Sequence, residues 1–507
     1  MIEETTAFVT DPSAEPEQPR RDGRGASTKA VGQDGFVRPL CVDLDGTLVK
    51  NDTLVDGLLV MVRTHSRAVW QIPGWIFRGK AHLKQEVGER VQLDVAHLPY
   101  NRPLLTYLEQ QKALGRTLYL ATGADRHLAE RIARHLGLFS GVLASDGEVN
   151  LTANHKLEAL QSRFGDTGFD YIGNARPDLP LLRSAQTPMI ANPDGALRRA
   201  LGSGRVVAQK SFIDRASRWR ALQRALRLHQ WAKNVLVFVP FLLAHSLRVD
   251  TVVRACIAFL CFSLCASATY IVNDLLDIEA DRRHPRKRRR PFAAGDLQAK
   301  TGVVVALALL LVAFTGAWIL SSLFFGWLGL YLVVTLSYSL YFKRVVLVDV
   351  LLLSGLYTLR LLAGAAATDV PISTWLAAFS VFLFLSLAMV KRFAELQNLR
   401  AAGQTPANGR GYLISDAEQL RAFGTAAAYA AVVVFSLYIS GRNVTVLYAH
   451  PERMWLITPM LILWISRVWL LASRGELDED PVIFAVTNRG SLLIGAIVVA
   501  IAVLAIL

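Results

Sequence analysis

Two groups of acidic residues stand where carboxylates can do chemistry. Asp43-Leu-Asp45-Gly-Thr47 directly follows the apolar run Pro39-Leu-Cys-Val42. Two carboxylates two residues apart in a loop can share a divalent cation, one attacking phosphorus while the other moves a proton. Thr122 ends a second apolar run and can hold a phosphoryl oxygen, while Lys156 can neutralise developing negative charge. Gly173-Asn174-Ala-Arg-Pro-Asp178 ends a third run and can complete the metal shell. The second group is Asn273-Asp274-Leu-Leu-Asp277-Ile-Glu-Ala-Asp281. Helical positions three and four apart share a face, so its three Asp carboxylates should line up. At the end of an apolar span they need a partner. Mg2+ bridging a diphosphate is the natural one, with Asn273 as a neutral oxygen ligand.

Cations recur at the same end of the apolar spans. Lys287 and Arg290 lie in the run Arg282–Arg290, Lys233 opens the first span, and Lys343 and Arg344 close the fourth. Lys391 and Arg392 end the sixth, and Arg360, inside the fifth, is expected to face the bundle interior. Together they suit a substrate bearing several phosphates.

These residues sit on two kinds of scaffold. Of the 507 residues 52% are hydrophobic and only 19% charged, against about 25% in a typical soluble domain. The apolar excess begins near Lys233. Before it, residues 38–205 read as an α/β domain with a mainly parallel sheet, whose strands end near Val42, Ala121, Gly173 and Asn192. The stretch Asp56–Leu98 reads as a small helical cap. Residues 1–37 read as a disordered tail and 206–228 as a basic amphipathic linker on the membrane surface. From 229 to 507 we expect an all-α bundle of nine spans, near 233–248, 252–272, 301–320, 324–341, 346–366, 373–390, 421–440, 454–471 and 491–507.

No signal peptide is recognisable, so the N-terminal domain is expected in the cytoplasm. Basic side chains concentrate in the loops Asp274–Lys300, Lys343–Arg344, Lys391–Arg421 and Arg474–Arg489. That places the acidic group at the inner face of a bacterial plasma membrane and the C-terminus outside. The net charge of +14 is then accounted for by loops facing anionic lipid, and no nucleic acid is implied. The four cysteines form no Cys-x-x-Cys pair and suggest neither a disulfide scaffold nor a thiolate metal site.

Residues 38–200 resemble the haloacid dehalogenase-like hydrolase superfamily, on Asp43-x-Asp45-x-Thr47, Thr122, Lys156 and the loop to Asp178. The resemblance implies a Rossmannoid phosphatase fold. Asp43 would be the nucleophile, Asp45 the general acid/base, Thr122 and Lys156 phosphate ligands, and Asp178 a holder of Mg2+. Asn174 stands where that superfamily usually has Asp.

Residues 221–507 resemble the UbiA superfamily of intramembrane prenyltransferases, on the Asn-Asp-x-x-Asp-x-x-x-Asp box and the nine spans. Within it they are most similar to the decaprenyl-phosphate phosphoribosyltransferases. That likeness is carried by His229-Gln-Trp-Ala-Lys233-Asn234, the string Asn273 to Gly295, Tyr338 with Lys343-Arg344, Lys391-Arg392-x-x-Glu395, and Asp478-Glu-Asp480-Pro481.

The resemblance implies 5-phosphoribosyl 1-diphosphate as donor, a polyprenyl phosphate as acceptor, and Mg2+ on Asp274, Asp277 and Asp281. Lys343, Arg344, Lys391 and Arg392 would position phosphates. The fused domain would then remove the 5-phosphate.

Two other readings stay open on the sequence. An aromatic prenyltransferase using a polyprenyl diphosphate usually carries a second Asp-x-x-x-Asp box, whereas Asp349 stands alone here. A transporter or scaffold rarely gathers its acids and cations at one membrane face.

Overall fold

The computed structural model describes residues 38–146, 151–202, 207–401, 403, 411–441, 447–477 and 480–507. The expected tail at 1–37, the boundary at 205–206, and Asp478 and Glu479 lie outside the described residues.

The soluble half is built on six parallel strands in the order β3-β2-β1-β4-β5-β6. They are β1 Leu40–Val42, β2 Leu118–Asp125, β3 Gly141–Ser145, β4 Asp170–Gly173, β5 Pro188–Ala191 and β6 Lys210–Phe212. This is a Rossmannoid core. Sequence pattern finds β1, β2, β4 and β5 because central strands are buried on both faces and read as apolar runs. It misses β3 and β6, the two edges, and in β6 only Phe212 is buried. β6 falls inside the stretch read as linker from residue 206.

Between β1 and β2 the chain forms the expected helical insertion, including α1 Thr53–Thr64 and α2 Lys80–Arg90. The Asp52 side chain caps α1 by accepting from the Val55 amide at 3.3 Å.

Among the described residues, eight helices are long and apolar enough to cross a membrane: α3 Val249–Leu276, α4 Ala299–Leu320, α5 Ser322–Leu340, α6 Val348–Thr368, α7 Thr374–Ala401, α8 Asp416–Ile439, α9 Pro451–Ser473 (3₁₀ over Pro451–Leu456) and α10 Arg489–Ile506. The protein is therefore an integral membrane protein. α3 and α6 are mostly buried inside the bundle, whereas α4, α5 and α10 turn most of their surface outward.

The first expected span, 233–248, is corrected in its backbone form, since it is not one regular helix. Its first part belongs to a run of 3₁₀ turns, Leu228–Phe238, followed by the five-residue helix Val239–Leu243. This segment runs antiparallel beside α3. Arg227 meets Asp274, Trp231 Nε1 donates to Ser267 Oγ at 2.9 Å, Asn234 Nδ2 to Ser263 Oγ at 3.0 Å, and Phe238 stacks near Phe259. Buried Lys233 and Asn234 reach for polar partners on neighbouring helices, and Pro240 has no amide hydrogen to offer a regular ladder. Gly364 of α6 permits this close approach, since a Cβ there would lie 2.2 Å from the Val237 carbonyl oxygen.

The two halves are docked. Val55 and Leu59 of α1 pack on a cluster containing Ile271, Leu275, Ile278 and Phe292 of the membrane half. Beside them Asp56 pairs with Arg282 at 2.6 Å, both almost fully buried, and Asn51 Nδ2 donates to the Phe292 carbonyl at 3.3 Å. Removing one partner of a buried pair costs about 3–5 kcal/mol, because the other charge is stranded. Asp56→Ala should therefore lower the thermal unfolding midpoint in detergent by several degrees. Asp56→Ala combined with Arg282→Met should recover part of the loss. An unchanged midpoint in the single variant would show that this pair does not hold the halves together.

Candidate active sites

The soluble site lies at the carboxyl ends of β1 and β4. β1 is fully buried and ends at Asp43, whose amide donates to the Ile172 carbonyl of β4 at 3.0 Å. Lys156 Nζ stands 2.8 Å from Asp43 Oδ1, 3.1 Å from the Tyr171 hydroxyl and 3.9 Å from Asp178 Oδ1. Thr47 Oγ1 donates to the other Asp43 oxygen at 3.3 Å. Asp178 accepts from Tyr171 at 3.0 Å and from the amides of Asn174 and Ala175, so it also fixes the loop that presents Asn174. Gly46 has φ +78°, and a Cβ there would fall 2.1 Å from Asn174 Nδ2. The tight turn that follows Asp45 thus requires glycine. Asp45 accepts from the Thr53 amide, the first residue of α1, at 2.7 Å.

Burial pushes the Asp43 carboxyl up to about 6, opposed by the charge of Lys156. Burial, reinforced by Asp52, pushes Asp45 up to about 7. Burial works against the Lys156 ammonium, but Asp43 and Asp178 outweigh it and hold its pKa above the ordinary value. One carboxylate is therefore held ready as a base or nucleophile, and the other carries a proton near neutral pH.

The cavity over this site measures about 1090 Å³. Asp43, Asp45, Lys156, Asn174 and Asp178 all line it, joined by Lys84 from α2 and by Lys300 from the membrane half. Thr122 is fully buried below the wall, its Oγ1 accepting from the Ala124 amide at 3.0 Å, and Gly123 and Ala124 form the wall there.

The membrane site gathers where α3 ends. Asn273 and Asp274 belong to α3, Asp277 caps it, and Asp281 sits on the short helix Ile278–Arg283. The carboxylates do not converge as one helical face. Asp274 and Asp281 meet at Arg290 Nη1, at 3.0 and 2.7 Å, and Asp274 also takes Arg227 at 2.5 Å. Asp277 turns to Lys343 at 3.0 Å and to Arg63, from the soluble half, at 2.8 Å. The break at Asp277 divides the box between two sets of cations.

A cavity of about 320 Å³ opens next to the box. Lys233, Asn273, Tyr338, Arg360, Lys391 and Arg392, all singled out in the sequence, line it together. Asn234 stands behind it, accepting from Arg360 Nε at 2.9 Å. Arg360 also donates to the Leu356 carbonyl and the Tyr331 hydroxyl, and lies over the rings of Phe262, Tyr331 and Tyr357. Arg392 is held by Asp349 at 2.6 Å, Glu395 at 2.7 Å and the Tyr338 hydroxyl at 2.9 Å. Lys343, Arg344, Lys287, Arg290 and the box aspartates are not on this wall. Lys287 lies on the turn Lys287–Arg289 beyond Asp281, and Arg344 lines a small neighbouring cavity with Asp277.

Sequence reasoning gave no site role to Asp480, Tyr357 and Arg227 on the main cavity, Arg63 at the box or Lys84 at the soluble site. Asp480 is the informative one. Its Oδ2 takes both Lys233 and Lys391 at 2.7 Å, and its Oδ1 takes the Tyr357 hydroxyl at 3.2 Å. Its signal in the sequence was the string Asp478-Glu-Asp480-Pro481, which marks the residue without telling its partners.

Among the described residues no three acidic, His or Cys side chains already form a metal-holding group. In chemistry the donors fit a hard cation at both sites, since all are carboxylate or amide oxygens. The present partners of the box aspartates are cations.

The profile of the UbiA prenyltransferase family matches residues 234–488. The chain belongs to this family. It is 35% identical over 475 residues to an uncharacterized protein, y4nM, of Sinorhizobium fredii, covering 93% of this chain and 92% of that one. That match runs through both halves. The nodulation protein NoeC of Azorhizobium caulinodans is 37% identical over 53% of this chain and 87% of its own length. A decaprenyl-phosphate phosphoribosyltransferase of Mycobacterium tuberculosis is 37% identical over 43% of this chain and 74% of its own. The chain thus joins a UbiA-type membrane domain to a soluble domain with a Rossmannoid parallel sheet.

Proposed function

We propose that the membrane domain transfers 5-phosphoribose from 5-phosphoribosyl 1-diphosphate to a polyprenyl phosphate, and that the soluble domain then removes the 5-phosphate. The observation that carries the first step is the cavity of Lys233, Arg360, Lys391 and Arg392 directly beside the acidic box. Such a chamber suits a compact polyanion better than an aromatic acceptor, and the likeness to a decaprenyl-phosphate phosphoribosyltransferase supports the same choice.

In this reading a phosphate oxygen of the acceptor attacks ribose C1. The C1–O bond to diphosphate breaks, and no strong base is needed because the acceptor is already ionised. Lys233 and Lys391, oriented by Asp480, hold phosphate oxygens in the cavity. Arg360 and Arg392 keep its wall electropositive. Mg2+ on Asp274, Asp277 and Asp281 with Asn273 would neutralise the leaving diphosphate.

For the second step, Asp43 attacks the 5-phosphate and Asp45 protonates the departing sugar oxygen; water, giving its proton back to Asp45, then attacks the aspartyl-phosphate, which breaks its P–O bond to Asp43 and releases inorganic phosphate. Lys156 and Asn174 face the phosphoryl group, and Asp43, Asp45, Asn174 and Asp178 supply the oxygens for Mg2+. Lys300 on the cavity wall puts this site against the membrane half, so a lipid-linked product need not diffuse far. We place the soluble domain and both sites at the cytoplasmic face of a bacterial plasma membrane, with the C-terminus outside.

The test is a transfer assay with the full chain in detergent, donor labelled in the ribose, a long polyprenyl phosphate and Mg2+. Label should move into the lipid phase. No transfer across several acceptor lengths by folded protein would overturn the reading, and transfer of a prenyl chain to an aromatic acceptor would replace it.

A further inference from the structure

Helix α1 joins the two sites physically. Its first amide is bound by Asp45 of the soluble site, and its last turn carries Arg63, 2.8 Å from Asp277 of the acidic box. Its 12 residues span about 18 Å. Val55, Leu59 and Arg63 are spaced four apart, so the stripe that docks α1 onto the membrane half ends in a guanidinium at the box. The Arg63–Asp277 pair is not sealed. The two side chains keep 29% and 18% of their exposure, enough for one partner to be exchanged for another. Beside them lies a cavity of about 60 Å³ lined by Arg63, Asp277, Ser339, Tyr341 and Arg344, and Ser339 also borders the larger phosphate chamber. Asp274, Asp277 and Asp281 together face Arg63, Arg227, Arg290 and Lys343. That leaves positive charge over for an anion.

We propose that Arg63 is a donor-binding residue of the transferase site, supplied by the soluble domain. It takes oxygens of the donor's diphosphate as the group settles against Asp277. This rests on the diphosphate-donor reading above. A guanidinium presents a planar fork that matches two phosphate oxygens at once, whereas Lys343, the other cation on Asp277, offers a point charge. In the free protein Asp277 parks the fork in place. When the diphosphate arrives, Arg63 exchanges one carboxylate for phosphate oxygens without leaving its position at the end of α1. The soluble domain is then part of the transferase as well as a second enzyme, and a membrane half expressed alone would lack one ligand for its donor.

Binding of inorganic diphosphate with excess Mg2+ to the full chain, measured by calorimetry, tests this without assuming the rest of the donor. Lys343→Ala should weaken binding and so mark the transferase site. Arg63→Ala should raise Kd about tenfold, as loss of a charged hydrogen-bond pair does, and Arg63→Lys should recover part of it. Asp94→Ala, which breaks a different inter-half contact, the one with Arg283, should leave Kd unchanged. That separates donor binding from docking. If Arg63→Ala does not purify as a folded species, Arg63→Gln decides instead. Wild-type affinity in the Arg63 variants, with Lys343→Ala impaired, overturns the inference and leaves the diphosphate reading standing. No diphosphate binding by the wild type overturns both.

Discussion

Asp277→Ala is expected to lower transfer of labelled ribose to polyprenyl phosphate by about 10²–10³-fold, the scale for loss of one preorganised charge at a reacting centre. Asp277 stands at the break between α3 and the short helix that follows, the only box position not inside either helix. It orders two cations from distant parts of the chain, Lys343 after α5 and Arg63 on α1. Its loss removes a metal oxygen and frees both cations at once. Asp274 and Asp281 lean on a shared Arg290 and on Arg227, so Asp277→Ala leaves that half of the box intact. Asp277→Asn keeps the shape and removes the charge, and should be nearly as impaired if charge is what matters. Hydrolysis of a small phosphate ester by the soluble domain should persist in both variants, which shows that the chain is folded. Transfer within a factor of a few of wild type in Asp277→Ala would sink the assignment of the box.

What the sequence discloses here is what lies close together along the chain. The strand-to-loop motif at Asp43 and the box at 273–281 are legible because their chemistry sits within a few residues of an apolar run. The partners that complete each site are far away. Lys156 meets Asp43 across 113 positions, Lys233 meets Asp480 across 247, and Arg282 meets Asp56 across 226. No local pattern encodes such pairs. Depth was legible for Arg360, since a lone cation inside an apolar span must turn inward. The regular helix expected at 233–248 was not, because apolarity reports burial without reporting backbone form. Asn234 and Lys233 reach sideways to Ser263 and Asp480, and the chain adopts 3₁₀ turns there. The same limit applies to the box. A spacing of three and four predicts one face, but the helix ends at Asp277 and the face divides.

The soluble domain gives the second large expected effect. In Asp43→Asn the transfer step should proceed, but the lipid product should retain its 5-phosphate, with hydrolysis reduced about 10³-fold or more, as for other nucleophile deletions. Asp43 is the carboxylate that β1 delivers to the cavity, and Lys156 and Thr47 hold its two oxygens in fixed directions. Lys156 keeps its charge because Asp43 and Asp178 outweigh its burial, so it can bind the incoming phosphoryl oxygens. Asp45, pushed up to about 7 by burial and by Asp52, is suited to protonate the sugar oxygen. Asn174 tempers the expectation for metal affinity without altering this division of labour, since its amide oxygen replaces a charged ligand with a neutral one. Mass analysis of the lipid products separates the outcomes. Phosphorylated ribosyl lipid accumulating only in Asp43→Asn places both steps on one chain. Dephosphorylated lipid formed equally by wild type and Asp43→Asn would assign the hydrolysis to something other than this carboxylate. Phosphorylated lipid as the end product of both would mean that the soluble domain acts on a different phosphate ester.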